Sequence, residues 1–139
     1  MNASWEERYR LRTVGAAEAL VGVRRGTRVF VGSGCAEPTV LVSALAARED
    51  VTDVEVLQIM TVGHAPYAHA AHTGRFRTNA FFIGSNIRDA VAEGIADYTP
   101  VFLSEIPALF RSRRLPIDVA LISTSPPDAH GFCSLGVSV

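Results

Sequence analysis

The sequence predicts an α/β domain, built on an open, mostly parallel sheet with helices on both faces. Short apolar runs typical of strands alternate along the chain with segments whose apolar residues recur at helical spacing. The run "IDVALIST" is continuously apolar in its centre, which is typical of a central parallel strand. The 139 residues, 48% of them hydrophobic and 19% charged, suit one domain with one core.

The elements follow one another in a regular order. Strands are predicted at 27–32, 53–60, 79–84, 98–103 and 117–124, with a further strand over "FCSLGVSV" at 132–139. Helices are predicted from Ala16 to a stop at Gly26, from Pro38 to 50, from Ser85 or Asn86 to Gly94, and from a Ser104 cap to 114. Residues 61–78 have no clean period and predict a long loop with one helical turn. Because the last strand has nothing after it, we expect the chain to be truncated at its C-terminal end.

Composition excludes several classes of function. The net charge is −1, so no basic field indicates nucleic acid or a membrane surface as a partner. All 13 basic residues are arginine, which excludes Schiff-base chemistry and a P-loop lysine within this chain. Cys35 and Cys133 fit no CxxC pattern and indicate reduced, mostly buried thiols. With no signal peptide and no bilayer-length apolar run, we expect a cytoplasmic protein.

The stretch "VFVGSGCAEPTVLV" at 29–42 is the first candidate site, because it joins a strand to a helix. Gly32 and Gly34 permit close backbone approach, and the helix start offers free N–H donors to an anion. A dinucleotide fingerprint needs glycine at position 37, where this chain has Glu37. A plain turn, a dinucleotide site and a site for another anion or a thioester stay open at this point.

Other polar clusters favour structural roles. The loop histidines His64, His69 and His72 have no nearby cysteine or carboxylate to complete a metal site, so no metal is expected. Turn chemistry accounts for the loop containing Ser125, Asp128 and His130 without a hydrolase triad. The remaining basic cluster ends a helix, where cations are favoured, and its alternative role is to bind CoA phosphates: Arg111, Arg113 and Arg114.

Three stretches together resemble the N-terminal domain of the acetyl-CoA hydrolase/transferase family. They are "VGSGCAEPTVLVSAL", "YTPVFLSEIPALFR" and, the most specific, "SPPDAHGFCSLGVSV"; the middle stretch from "TVGHAPY" to "ADYTP" is similar as well. The likeness runs from about Arg12 to Val139. It implies a CoA-transferase-like open α/β half, in a family that includes 4-hydroxybutyrate and succinyl-CoA:acetate CoA-transferases.

The resemblance also implies ping-pong chemistry through a glutamyl-CoA intermediate. The family's nucleophilic glutamate and its Gly-rich CoA-binding loop lie in a C-terminal half, beyond Val139, and no residue here matches them. Glu37 and Glu105 lie beside helix N-termini, where a carboxylate serves structure. We therefore expect residues 1–139 to be an N-terminal CoA-transferase domain without its catalytic half, with no catalytic residue and no activity alone.

What this half contributes, by position, is one wall of an acyl pocket. The expected substrate-binding residues are Ser33, Gly34, Ile59, Met60, Thr61, Asn86, Ser104 and Glu105. Some relatives carry histidine where this chain has Ser33, which leaves the acyl specificity open. No tightly bound cofactor is expected; CoA and acyl-CoA are substrates, a small carboxylate is the co-substrate, and the full-length protein is expected to be a homo-oligomer.

Two interpretations that assign the chain to other functional classes remain. One is a non-catalytic module that binds acyl-CoA or a nucleotide, fused to another enzyme or regulating it. The other is a purely structural half-domain that needs its missing half in order to fold.

Overall fold

The computed structural model describes residues 4–137. Their strands form a single five-stranded sheet that is parallel throughout, in the order β4-β3-β2-β1-β5. The strands are β1 (Arg28–Val31), β2 (Val54–Gln58), β3 (Phe76–Ala80), β4 (Ala96–Tyr98) and β5 (Val119–Leu121). The predicted α/β class is confirmed, and the sheet is entirely rather than mostly parallel.

Helices cover both faces of this sheet. They are α1 (Trp5–Arg12), α2 (Ala16–Ala19), α3 (Thr39–Ala46), α4 (Arg88–Ala92) and α5 (Ile106–Arg111), with 3-10 turns at Pro66–Ala68, Ala70–His72 and Leu103–Glu105. Val29 of β1 packs into the main core with Leu45 of α3. Phe30, the next residue, points the other way and packs edge-to-face on Phe110 of α5, with ring centroids 5.6 Å apart. The alternation of side chains along β1 thus separates two helical layers.

Three predicted strands were wrong in place or kind. β3 is centred on Thr78 and not on the apolar run at 79–84. The side chains of Phe76, Thr78 and Ala80 point into the core, and the strand pairs with β2. β4 ends at Tyr98, before Pro100, which has no N–H to donate to a ladder. Residues 132–137 form no strand: they fold back on the preceding loop, where Ser125 N donates to Ser134 O at 2.8 Å. Residues 138 and 139 of that prediction lie outside the described range.

The helix ends also differ from the predictions. α2 stops at Ala19 rather than continuing to Gly26, although Leu20 beyond it stays buried in the core. The start of α4 is not capped by Ser85 or Asn86, since its N-cap is Ile87 and makes no side-chain cap bond. Ser104 does not cap a helix either; it lies inside the 3-10 turn that leads into α5.

The N-terminal helix α1 was not predicted, yet its sequence carries clear end signals. Ser4 accepts a hydrogen bond from Glu7 N at 3.3 Å, acidic residues occupy the first turn, and basic residues occupy the last. The helix packs through Trp5 on Gly131, whose left-handed backbone (φ +84°) leaves no room for a Cβ against the indole. Glycine at that position lets α1 rest on the loop after β5.

Candidate active site

The loops that follow the strands meet at the carboxyl edge of the sheet. The chain proceeds from β1 through β2 and β3 to β4 on one side, and only then returns to place β5 on the other side of β1. The strand order therefore reverses between β1 and β5, and open α/β sheets bind ligands outside such a reversal. The loop 32–38 leaves β1 at this point.

A cavity of about 400 Å³ opens beside that reversal. Gly32 forms its floor, with its N–H donated to Leu121 O at 2.9 Å, and a Cβ there would lie 3.3 Å from the same oxygen. The cavity is lined by Phe30, Gly32, Ser33, Ile59, Leu103, Ile106, Pro107, Phe110, Ile122 and Val137. Among these described residues no side chain is charged, and only Ser33 has a polar one. The volume and the apolar lining are typical of a site for a small organic group.

The loops after β1 and β2 are joined directly. Gly34 donates its N–H to Met60 O at 2.7 Å and forms a parallel bridge with Thr61. Its φ of +62° lies in the left-handed region, which glycine adopts without the steric cost of a Cβ. The glycine that the sequence indicated as a close-approach position is therefore used to join one loop backbone to the next.

A second connection runs through Gly63. Glu37, which is only 8% exposed, accepts a hydrogen bond from Gly63 N at its Oε2, 2.9 Å away. Asn86 donates through Nδ2 to Gly63 O at 2.9 Å and to Thr61 Oγ1 at 3.0 Å. The loop after β2 is thus hydrogen-bonded to the loops after β1 and after β3.

Beneath these loops lies a buried polar cluster. Thr61 Oγ1 donates to Gln58 Oε1 at 2.5 Å, and the hydroxyl of Tyr67 donates to the same oxygen at 3.3 Å. Burial raises the pKa of Tyr67, the neighbouring negative charge of Glu37 adds to the rise, and the bond with Thr61 opposes it. The phenol is therefore a neutral hydrogen-bond donor here.

The predicted site residues fall into three groups. Ser33 and Ile59 line the cavity, while Gly34, Met60, Thr61 and Asn86 belong to the connected loops beside it. Ser104 and Glu105 are exposed and are not among the cavity-lining residues, and Glu105 Oε2 accepts from Phe102 N at 3.3 Å.

Sequence reasoning did not single out the aromatic cavity residues Phe30 and Phe110, or the polar residues Gln58, Gly63 and Tyr67. A glutamine inside the apolar strand run "VEVLQIM" was the available signal for the buried cluster.

Several of the remaining candidates have structural contacts, whereas Cys35 and Cys133 are both exposed, so the expectation that these thiols are mostly buried was wrong. Asp128 Oδ1 accepts from the backbone N–H groups of His130 and Phe132, which is the turn chemistry expected for that loop. Nδ1 of His72 lies against the guanidinium of Arg75. Within residues 4–137 no three His, Cys, Asp or Glu side chains are grouped so as to hold a metal ion. In the same range, no helix has both the length and the apolar character needed to cross a bilayer.

Known proteins resemble this chain over nearly all of its length. It is 42% identical over 135 residues to the 4-hydroxybutyrate coenzyme A transferase of Clostridium kluyveri, covering 96% of this chain and 32% of the relative. It is 45% identical over 120 residues to the succinyl-CoA:acetate/propanoyl-CoA:succinate CoA transferase of Fasciola hepatica, covering 84% and 25%. The chain therefore spans a third or less of the length of these relatives.

Solved structures agree with the fold. The 4-hydroxybutyrate CoA-transferase of Porphyromonas gingivalis superposes with a TM-score of 0.74 at 28% identity, over 95% of this chain and 30% of that one. RipA from Yersinia pestis superposes with a TM-score of 0.88 at 24% identity, over 97% and 34%, which shows the shared fold. A family model described as the acetyl-CoA hydrolase/transferase N-terminal domain matches residues 1–139. The chain belongs to the acetyl-CoA hydrolase/transferase family.

Proposed function

We propose that this chain forms the acyl-binding wall of a CoA-transferase, an enzyme that moves CoA between an acyl-CoA and a small carboxylate. The family match and the relatives named as CoA transferases support this reaction class. The observation that carries the assignment to this site is the apolar cavity at the reversal of strand order. The acyl chain of the thioester would enter that cavity, with Ser33 as its single polar side-chain neighbour.

The proposed chemistry is a covalent relay on a glutamate that this chain does not supply. That carboxylate attacks the thioester carbonyl, CoA leaves as a thiolate, and an acyl-glutamyl anhydride forms. The thiolate then attacks the glutamyl carbonyl, which releases the acyl carboxylate and gives a glutamyl-CoA thioester. An acceptor carboxylate reverses these steps and leaves as the new acyl-CoA, whereas water at that stage gives hydrolysis.

The two glutamates nearest the site have contacts that support placing the nucleophile elsewhere. Glu37 is buried against Gly63 N, and Glu105 accepts from Phe102 N outside the cavity. The part of the protein that supplies the nucleophile is accordingly a partner of this half. Homo-oligomerisation of the full-length protein, a cytoplasmic location and the absence of a tightly bound cofactor belong to the same proposal.

The test is CoA exchange by the full-length protein that carries this chain. Acetyl-CoA is supplied with butyrate, 4-hydroxybutyrate or succinate, and the new acyl-CoA is followed by chromatography. We expect transfer, and we expect Phe110→Ala to shift the preference toward longer acyl chains because it enlarges the cavity. Absence of transfer to every acceptor, with only free CoA or no product formed, would contradict the assignment.

The 139-residue chain alone provides the complementary measurement. We expect it neither to transfer CoA nor to form a glutamyl-CoA adduct that hydroxylamine cleaves, because no residue in it matches the nucleophile. Robust turnover by the purified chain would overturn that part of the proposal. Calorimetry with CoA, acetyl-CoA and NAD separates the non-catalytic alternative, since tight binding of NAD fits a nucleotide module and contradicts an acyl-transfer wall.

A further inference from the structure

Both backbone polar groups of Gly63 are held by side chains from other loops. Its N–H is donated to Glu37 Oε2 and its carbonyl accepts from Asn86 Nδ2, each at 2.9 Å. Glu37 comes from the loop between β1 and α3, and Asn86 from the loop between β3 and α4. One glycine therefore joins three of the loops at the carboxyl edge.

Burying the carboxylate of Glu37 in this contact costs hydration free energy. It is buried, and within the described residues no salt bridge reaches it. A buried carboxylate without a cation needs hydrogen-bond donors to offset its lost hydration. The amide of Gly63 is the donor that the structure gives it.

The space around Gly63 fits the same contact. A Cβ at this position would clash with both carboxylate oxygens of Glu37, so any other residue would require that carboxylate to move. Gly63 is not in the left-handed region, so the close approach of Glu37, and not the backbone conformation, favours glycine here.

The contact fixes the segment that borders the cavity. Ile59 lines the cavity and Met60 is exposed beside it, while Gly34 holds Met60 O from the first loop. We propose that Glu37 and Asn86 are positioning residues, which act through Gly63 to hold the Ile59–Met60 wall against the acyl group. This role rests on the proposed function. In this role neither side chain contacts the reacting atoms.

The first experiment compares Glu37→Ala with Glu37→Gln in the full-length protein that carries this chain. Glutamine keeps an acceptor oxygen for Gly63 N, whereas alanine removes it. We expect Glu37→Ala to raise KM for the acyl substrate roughly tenfold with kcat within about threefold of wild type, and to weaken chain-length selectivity. We expect Glu37→Gln to restore both. Glu49→Ala, an exposed glutamate just beyond α3, is the matched control.

The second readout does not depend on activity. Hydrogen–deuterium exchange of the 59–63 segment should be faster in Glu37→Ala than in wild type and restored by Glu37→Gln. Gly63→Ala should perturb the wild-type background more than the Glu37→Ala background, since the clashing carboxylate is then gone. If Glu37→Ala fails to fold, Asn86→Ala releases the carbonyl side of Gly63 and is measured in the same way.

Three outcomes would contradict the positioning role, the contact at Gly63 or the proposed function. Equal losses in Glu37→Gln and Glu37→Ala would mean that the charge is needed, which overturns a positioning role. Unchanged exchange in the variants would overturn the clamp itself, that is, the hold of Glu37 and Asn86 on Gly63. A wild-type protein with no CoA transfer would contradict the proposed function, and with it the acyl-wall role, while the exchange data still decide whether the clamp exists.

Discussion

Gln58 is a fully buried amide at the carboxyl end of β2. Its Oε1 accepts from Thr61 and Tyr67, while its Nε2 has no partner among the described residues. A buried polar group that loses its partner costs more than the bond contributed, so such clusters tie their members to one arrangement. Here the arrangement fixes the start of the loop that borders the cavity.

Removing the hydroxyl of Tyr67 tests this cluster. Tyr67→Phe keeps the ring packing but takes one donor from Gln58 Oε1, so we expect the free energy of unfolding to fall by about 1 kcal/mol. Urea denaturation measures the change. Tyr9→Phe, on the exposed face of α1, is the control and should have no measurable effect. Equal stability of the Tyr67→Phe variant and wild type would show that the contact contributes nothing.

Tyr67 also makes the stability of the protein depend on pH. Because burial raises the pKa of Tyr67, the folded protein keeps the phenol proton that the unfolded chain releases near its ordinary pKa of about 10. The stabilisation is complete below about pH 10 and is lost as the pH rises above it. Wild type should therefore lose stability more steeply than Tyr67→Phe between about pH 9 and pH 11. Parallel curves would contradict this.

At the scale of elements, arginines from elsewhere in the chain satisfy carbonyls at helix ends. Arg75, just before β3, donates from Nη1 to Arg48 O at 2.7 Å, beyond the end of α3, and to Ala46 O at 3.3 Å, at its last residue. Arg48 in turn donates to Leu20 O and Val23 O, after α2. The last carbonyls of a helix lack intrahelical donors. Arg48 reaches two carbonyls with its two Nη atoms, whereas Arg75 reaches both of its carbonyls with Nη1 and directs Nη2 at His72.

Lysine at position 75 tests whether the fork matters. Arg75→Lys keeps the charge but loses the planar arrangement of donors, so we expect a loss of about 1–2 kcal/mol in the free energy of unfolding. Arg77→Lys, which alters an exposed pair between β3 and Asp97 of the neighbouring β4, should cost about 0.5 kcal/mol or less. Thermal denaturation of both variants provides the comparison, and equal effects would contradict the capping role.

Periodicity predicted the order and type of the elements better than their boundaries. The strand at 117–124 exists because β5 lies inside an unbroken apolar run, although only Val119–Leu121 pairs. Its predicted central position was wrong, since β5 lies at one edge of the sheet of the described residues and pairs with β1 alone. β3 was misplaced because the apolar residues Phe81 and Phe82 lie just past its end, at the carboxyl edge. Local pattern does not distinguish an apolar strand from an apolar loop that lines a cavity.

Local sequence pattern was also insufficient to predict the whole site. Glycines and polar residues beside strand ends indicated Ser33, Gly34 and Ile59, because chain order fixes which ends share an edge in a parallel sheet. The Glu37–Gly63 contact joins residues 26 positions apart, and nothing in either local sequence indicates it. Only the packed structure brings them together.

At the scale of the whole molecule, apolar side chains are concentrated at the carboxyl edge. Exposed large residues follow four successive strands there: Val40, Met60, Val62, Phe82, Ile83, Phe102 and Leu103. Contiguous exposed apolar surface marks an interaction site. Its position beside the cavity fits the acyl-binding wall that we propose.

The 139-residue chain should therefore bind an apolar dye at this edge. We expect the fluorescence of anilinonaphthalene sulfonate to rise on addition of the folded chain and to fall in the double variant Phe82→Ser, Phe102→Ser. Val21→Ser, which removes an equally exposed apolar residue near α2, should leave the signal unchanged. Equal loss in the two variants would mean that the dye does not report on the edge.

The polar row on the α5 face of the sheet bears on the fidelity of folding. Arg28 pairs with Glu55, Glu55 accepts from Asn79, and Asn79 accepts from Thr99, so the row crosses from β1 to the residue beyond β4. A strand that slipped by one residue would turn these side chains onto the opposite face, among the valines of the main core. The row thus disfavours sheets whose strands assemble one residue out of register.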